Sequence, residues 1–236
     1  MWETGRVRGG GDVDPDGQAA MRSVAILLAA GESRRMGSPK ALVDWRGRPL
    51  IAHQLDALHR SRIDECIVVL GNEAPRLLPM VAPRFRPGWR ARAVRNPRPE
   101  EGRSASIRVG LGALLGPPDA ILVAAVDQPL ETGLVDALLA AAAGEWGGTA
   151  PGLPRADAPR LILVPVFEGR RGHPPLFHGS LLPELLGVGE DSEGLRAVVR
   201  RRPERVLEIP WTSPVILLNL NTPAEAARSG ATAPRL

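Results

Sequence analysis

Lysine is almost missing from this chain: of its 30 Lys and Arg residues, only Lys40 is lysine. Tyrosine is absent, aromatic residues amount to 3%, and Cys66 is the single cysteine. One cysteine permits no internal disulfide, so the fold must rest on its core. Long apolar runs are missing too. Val24–Ala30, Ala120–Val126 and Ala137–Ala143 each extend over seven residues, well short of the ~20 that a membrane helix needs. No basic stretch leads into an apolar one at the start, as it would in a secretory leader. These absences exclude a disulfide scaffold and a membrane-spanning helix. The expected setting is a reducing cytoplasm, with no membrane partner.

The chain does contain enough apolar sequence for a large core. Its 236 residues are 44% hydrophobic, and a domain of this length buries roughly 70–75% of its extended-chain surface. Arginine carries nearly all the positive charge, yet the net charge is only +4. Eight arginines fall between Arg84 and Arg108 and five between Arg196 and Arg205. Almost no aromatic residue interleaves with them, and no helix-turn-helix, zinc-finger or RNA-binding signature accompanies them. They read as solvated faces of an arginine-biased protein, so no nucleic-acid partner is expected. Where arginine has replaced lysine almost everywhere, the remaining lysine marks a place that needs a compact, flexible ammonium.

Residues 1–20 are rich in Gly and Asp and lack periodicity, which predicts a disordered tail ahead of one domain over 21–236. From Val24 the pattern alternates. Val24–Leu28 reads as a buried strand, and a Gly/Ser-rich loop runs from Gly31 to Pro39. Ile51, Leu55 and Leu58 recur at helical spacing. Strands are expected at Ile67–Leu70, Ala91–Arg95 and Ala120–Val126. Helices are expected around Ile107, Leu111 and Leu114, opened near Ser104, and around Leu134, Leu138 and Ala141. Such alternation predicts a mainly parallel sheet with helices on both faces. Farther on, Leu161–Phe167 and Pro174–Phe177 read as paired strands joined by a polar loop. A helix at Leu195–Arg202, strands at Arg205–Ile209 and Val215–Leu218, and a last helix opened by Thr222–Pro223 complete the expectation.

Several strings carry chemistry. Leu28-Ala29-Ala30-Gly31-Glu32-Ser33-Arg34-Arg35-Met36-Gly37-Ser38-Pro39-Lys40 follows the first strand, and open α/β sheets bind ligands at such strand ends. Gly31 and Gly37 let backbone amides approach phosphate oxygens, and Arg35 and Lys40 supply neutralising charge. The string is neither a Walker A loop nor G-x-G-x-x-G. Val126-Asp127-Gln128-Pro129-Leu130 puts a carboxylate at the end of another strand, as a magnesium ligand or as a helix cap. Asn96-Pro97 and Glu101-Gly102-Arg103-Ser104-Ala105-Ser106-Ile107 form a third segment. Arg171-Gly172-His173-Pro174-Pro175-Leu176-Phe177 holds a histidine whose reading is structural or functional. Leu218-Asn219-Leu220-Asn221-Thr222-Pro223 and Gly194-Leu195-Arg196 complete the set.

The first string resembles the signature L-A-[AG]-G-x-S-x-R-M-G-x-x-K of nucleotidyltransferases that load nucleotides onto molybdopterin. These belong to the wider superfamily of sugar-phosphate and methylerythritol-phosphate nucleotidyltransferases. The other segments resemble that family in consistent order over residues 24–228, and Ala30 in place of Gly, Pro39 before Lys40 and the Arg-Gly-His-Pro segment resemble its molybdenum cofactor cytidylyltransferase branch. Three departures stand out. Arg103 replaces a common Met and Ala105 a common Ser, and Asn219 and Asn221 stand where the cytidylyl branch usually has aspartates. That last feature resembles the guanylyl-transferring branch.

The resemblance implies a three-layer α/β/α, Rossmann-like fold of the glycosyltransferase-A type, with a mixed, mainly parallel sheet. It implies transfer of CMP from CTP to molybdopterin or molybdenum cofactor, with release of pyrophosphate. Lys40, Arg35 and Asp127 would be catalytic. Leu28, Ala29, Ala30, Gly31, Ser33, Arg35, Gly37, Lys40, Asn96, Gly102 and Ser106 would bind the nucleotide. Asp127 and Asn221 would hold Mg2+, and Arg171, Gly172, His173 and Pro174 would face the acceptor. A molybdoenzyme or its chaperone is a further candidate partner. Use of GTP, a different phosphorylated acceptor, and a non-catalytic nucleotide-binding relative remain the alternatives.

Overall fold

The structure, a computed structural model, describes residues 21–31, 39–85, 89–146, 160–189, 194–221, 225 and 231–232. The expected tail at 1–20, residues 32–38 of the glycine loop and the start of the last helix at 222–224 lie outside the described residues. In chain order the elements are β1 (Ser23–Ala29), β2 (Asp44–Trp45), β3 (Arg48–Pro49), α1 (Leu50–Arg60), β4 (Glu65–Leu70) and α2 (Ala74–Val81). Then come β5 (Arg90–Arg95), α3 (Arg103–Gly112), β6 (Ala120–Ala125), α4 (Thr132–Trp146), β7 (Ile162–Phe167), β8 (Arg170–Arg171) and β9 (Leu176–His178). The rest are α5 (Leu182–Leu186), α6 (Leu195–Arg201), β10 (Val206–Pro210) and β11 (Ala231–Thr232).

The main sheet has the order β10-β7-β9-β6-β1-β4-β5, with β8 paired to β7, and β11-β2-β3 form a small separate sheet. β1 pairs in parallel with both β4 and β6, and β4 with β5. Only β8 and β9 run antiparallel within the main sheet. The strand–helix alternation predicts the mainly parallel part of this architecture, and the family resemblance its mixed character. After β1 the chain builds outward through β4 and β5, then crosses back to lay β6 on the other side of β1. The strand order therefore reverses at β1 and β6, and the loops leaving their carboxyl ends diverge to open a crevice.

The buried strands send alternate residues to opposite faces. Ala25, Leu27 and Ala29 of β1 join Cys66, Val68 and Leu70 of β4 against Ile51, Leu55 and Leu58 of α1 and residues of α2 and α4. Val24, Ile26 and Leu28 join Ile67 and Val69 against Ile107 and Leu111 of α3, with α5 and α6 beside them. Three layers follow from this period of two. Two helices escaped the sequence reading. α2 carries Pro79 in its interior, a residue that argues against helix, and α5 has only five residues. The expected strand at Val215–Leu218 is instead a 3-10 turn over Pro214–Leu217. Pro214 lacks an amide for a ladder, and the Ser213 hydroxyl accepts the Val215 N–H at 3.3 Å to start a turn.

No described helix is long and apolar enough to cross a membrane. α3 lies closest to the sheet at Gly110, where a Cβ would come within 2.5 Å of Ile26 Cγ2 and 2.9 Å of Val69 Cγ2. Gly110→Val should therefore push α3 off β1 and β4, lowering stability by ~1–3 kcal/mol. Urea denaturation would show a reduced midpoint; an unchanged midpoint would contradict the packing described.

Candidate active site

The loops leaving β1 and β6 enclose a cavity of about 430 Å³. Leu28, Ala29, Ala30 and Gly31 form its wall at the end of β1, followed by Pro39, Lys40 and Ala41. Glu73 and Leu77 contribute from the start of α2, and Pro99, Glu100, Gly102, Arg103 and Ser106 from the start of α3. Ala125, Val126, Asp127 and Asn221 close the other side. Segments far apart in sequence thus meet because each follows the same end of the parallel sheet.

At one end of the cavity three side chains converge on one point. Lys40 Nζ donates to Asp127 Oδ2 at 3.0 Å and to Asn221 Oδ1 at 2.6 Å. Asp127 is only 4% exposed. An unpaired carboxylate at that depth would carry a penalty of several kcal/mol. The lone lysine satisfies it, and Asn221 supplies a second oxygen to the same ammonium.

The backbone explains why these groups meet. The Val126 N–H donates to Leu28 O at 2.9 Å, so the ladder between β1 and β6 continues up to the residue before Asp127. The Leu220 N–H donates to Asp127 O at 2.9 Å, and Gln128 Nε2 donates to Asn219 Oδ1 at 2.7 Å. These two bonds stitch the 127–128 turn to the 219–221 segment. They also separate the two asparagines: Asn219 is engaged by Gln128, whereas Asn221 faces Lys40.

Beneath the turn lies Gln54, fully buried in α1. Its Nε2 donates to Gln128 O at 2.6 Å and, at 3.2 Å each, to Ala125 O and Val126 O. Its Oε1 accepts the Leu130 N–H at 2.8 Å. The sequence reading missed Gln54, although its place between Ile51 and Leu58 on the helical stripe was a signal. An amide on a buried face needs partners, and a turn with unpaired backbone groups supplies them.

The other sequence-derived residues separate into three groups. Ser33, Arg35 and Gly37 lie outside the described residues. Asn96 does not line the cavity. It is buried behind it, where Nδ2 donates to Ser106 Oγ at 3.0 Å and Oδ1 accepts the Arg98 N–H at 2.9 Å. Asn96 therefore positions Ser106, which does line the cavity. The Arg171–Pro174 segment sits beside the cavity rather than in its wall. Arg171 Nε pairs with Glu208 Oε1 at 2.7 Å on the outer surface. Burial pushes the His173 imidazole down to about 4, with Arg103 and Arg196 adding to the effect and Asp127 opposing it. His173 is therefore neutral near pH 7. Sequence reasoning also passed over Glu73, Leu77 and Glu100 as cavity residues, although Glu73 follows a parallel strand as Asp127 does.

Among the described residues no three His, Cys, Asp or Glu side chains gather as a ready cage for a metal. The donors at Lys40 nevertheless suit a hard divalent cation, because Asp127 Oδ2 and Asn221 Oδ1 are both oxygens and already share one cationic partner. Magnesium is commonly bound through one or two carboxylates, with substrate phosphates completing its shell.

Comparison with known proteins fits this geometry. The chain belongs to the MobA-like NTP transferase domain family, whose profile matches residues 25–206. It is thus an enzyme of the nucleotidyltransferase class. It is similar to nicotine blue oxidoreductase of Paenarthrobacter nicotinovorans, with 31% identity over 75% of this chain and 81% of that protein. Purine catabolism protein PucB of Bacillus subtilis (strain 168) is 28% identical over 75% of this chain and 80% of its own. The fold is similar to that of Rv0371c from Mycobacterium tuberculosis H37Rv, with a TM-score of 0.69 and 23% identity. That alignment covers 88% of this chain and 97% of Rv0371c. A manganese complex of Rv0371c superposes with a TM-score of 0.67 at 22% identity, covering 89% and 98% of the two chains.

Replacing Gln54 with Leu should strand the Leu130 N–H and remove a donor from the Val126 and Gln128 carbonyls, whereas Ala125 O keeps the Gln128 N–H. The expected loss is ~2–3 kcal/mol of stability, with faster hydrogen exchange at the Leu130 amide. Wild-type exchange at Leu130 in this variant would show that Gln54 does not hold the turn.

Proposed function

We propose that the protein transfers CMP from CTP to a phosphorylated acceptor, with molybdopterin or molybdenum cofactor as that acceptor, and releases pyrophosphate. The observation that carries the reading is the convergence of Lys40, Asp127 and Asn221 in the wall of the crevice between β1 and β6. The Leu28–Gly31 wall and Gly102 would receive the nucleotide, and Lys40 would turn its ammonium toward the triphosphate. In the reaction an acceptor phosphate oxygen forms a bond to the α-phosphorus while the bond to pyrophosphate breaks in line. No protein nucleophile is required, because the acceptor oxygen is already anionic. Asp127 and Asn221 would hold magnesium, which supplies positive charge to the triphosphate as negative charge builds on the leaving group. Rv0371c, which has the same fold, has been crystallised with manganese, in keeping with use of a divalent cation. Arg35, outside the described residues, is proposed to add charge to the same phosphates.

Two features bear on the choice of base. Ala30 and Pro39, which follow the cytidylyl pattern, line the cavity. Asn219 and Asn221, which follow the guanylyl pattern, stand at the cation end, and Asn219 is turned to Gln128. A base is discriminated by groups that touch it and would be left unpaired by the wrong one. The loop residues therefore outrank the asparagines, and CTP is favoured. GTP use is the second reading.

Asp127→Asn removes the carboxylate that accepts from Lys40 Nζ. Turnover should fall by at least ~100-fold, equivalent to ~2.7 kcal/mol or more of transition-state stabilisation, with melting little changed. Pyrophosphate release close to wild type from a folded variant would sink the assignment. For the base, wild-type protein should prefer CTP over GTP by at least ~10-fold, or ~1.4 kcal/mol, in competition against a labelled nucleotide. The pair Ala30→Gly and Pro39→Asp should narrow that ratio. Equal or GTP-favoured binding would instead promote the guanylyl reading.

A further inference from the structure

Asn221 reaches the Lys40 junction from a segment without regular structure. Lys40 opens a 3-10 turn and Asp127 follows β6, but residues 218–221 belong to no helix or strand. A side chain on such a segment keeps its direction only where other bonds hold the backbone beneath it. Three bonds are present, one on each of three successive residues. Asn219 Oδ1 accepts from Gln128 Nε2 at 2.7 Å, and the Leu220 N–H donates to Asp127 O at 2.9 Å. Leu220 is also buried against Val43, Trp45 and Leu50. The third bond comes from another part of the chain: the Asn221 N–H donates to Glu225 Oε2 at 3.0 Å.

The first two bonds fix the segment to the 127–128 turn but end one residue short of Asn221. The peptide of Asn221 itself is held by Glu225. That peptide is planar, so fixing its N–H fixes the plane from which Cα sends out the side chain. Rotation about χ1 and χ2 then brings Oδ1 to 2.6 Å from Lys40 Nζ. A carboxylate makes such a bond stronger than a neutral oxygen would. Its spacing also sets it apart from a helix-capping box, in which the acid returns to the N–H three residues earlier. Glu225 returns four residues, to the residue whose side chain meets Lys40.

We infer that Glu225 is a positioning residue for the junction: by holding the Asn221 N–H it keeps Asn221 Oδ1 turned toward Lys40. Its consequence is that Asn221 is preset to share a divalent cation with Asp127. That consequence rests on the proposed nucleotidyl transfer, whereas the hold on Asn221 does not.

Lys40 is the single lysine, so protein labelled with 15N and 13C in lysine alone carries one labelled side chain. Its Cε–Nζ resonance reports the partners of the ammonium. Glu225→Ala should move that resonance toward its position in Asn221→Ala. Glu225→Gln should leave it near wild type, because an amide oxygen can still accept the N–H. In the Asn221→Ala background, Glu225→Ala should add no further shift, since the two changes act through one interaction. Mn2+ binding in the presence of CTP is read by electron paramagnetic resonance. It should weaken at least ~10-fold in Glu225→Ala and stay within ~2-fold of wild type in Glu225→Gln. The inference is overturned if Glu225→Ala leaves the resonance in place, or if Glu225→Gln moves it as far. It is also overturned if Glu225→Ala shifts the resonance further in the Asn221→Ala background, as a general loss of structure would. A moved resonance with unchanged Mn2+ affinity would uphold the grip on Asn221 and remove Asn221 as a cation ligand, a failure of the proposed function and not of this inference.

Discussion

The Asp127 carboxylate is buried, and a buried carboxylate needs a compensating partner. Most of what defines the site follows from that constraint. Lys40 supplies the charge from the loop after β1, and Asn221 supplies an oxygen from a segment near the far end of the chain. An ammonium suits this position because it is compact and can rotate its three donors toward different oxygens. A guanidinium in the same place would present a rigid planar fork to two oxygens that come from unrelated segments. In a chain that uses arginine almost everywhere else, the retained lysine therefore has a physical reason.

The sheet topology makes this meeting possible. Strand order reverses between β1 and β6, so the loops after those strands part instead of packing on each other. Asp127 is fixed at the edge of that gap by the backbone bond from Val126 to Leu28 and by Gln54 below. The cavity residues stand on loops here, but the loops hang from a rigid ladder. The turn that carries Asp127 is therefore held by backbone and Gln54 bonds that do not involve Lys40.

Much of this arrangement was legible in the sequence because it rests on strong local signals. Seven-residue apolar runs in Val24–Ala30 and Ala120–Val126 mark central strands, and a glycine loop with the sole lysine after the first of them marks the ligand end. What was not legible depends on tertiary partners. Gln54 looks like a polar interruption of a helical stripe until the 125–130 turn lies over it. Val215–Leu218 looks like a strand, yet Pro214 and Ser213 make a turn, and that turn lets Ile216 receive His173. Arg171 appears in a segment resembling an acceptor site, but only the fold reveals Glu208 beside it. Helix α2 was hidden by Pro79, whose missing amide costs one bond in a helix buried through Ala74, Leu77 and Val81.

The asparagine at position 221 can be understood through charge balance at the same junction. Lys40 and Asp127 as a pair are formally neutral and Asn221 adds no charge to them, while the Glu225 carboxylate already accepts the Asn221 N–H at 3.0 Å. An aspartate there would bind a divalent cation more strongly, but it would give the junction a surplus negative charge whenever the cation was absent. A triphosphate carries several negative charges and would meet that surplus as it entered a confined cavity already lined by Glu73 and Glu100. With asparagine, the oxygen needed to coordinate a cation is retained while the repulsion is avoided. Under the proposed nucleotidyl transfer, the arrangement would exchange some affinity for free metal for easier entry of the nucleotide, as suits a cation that arrives together with its triphosphate.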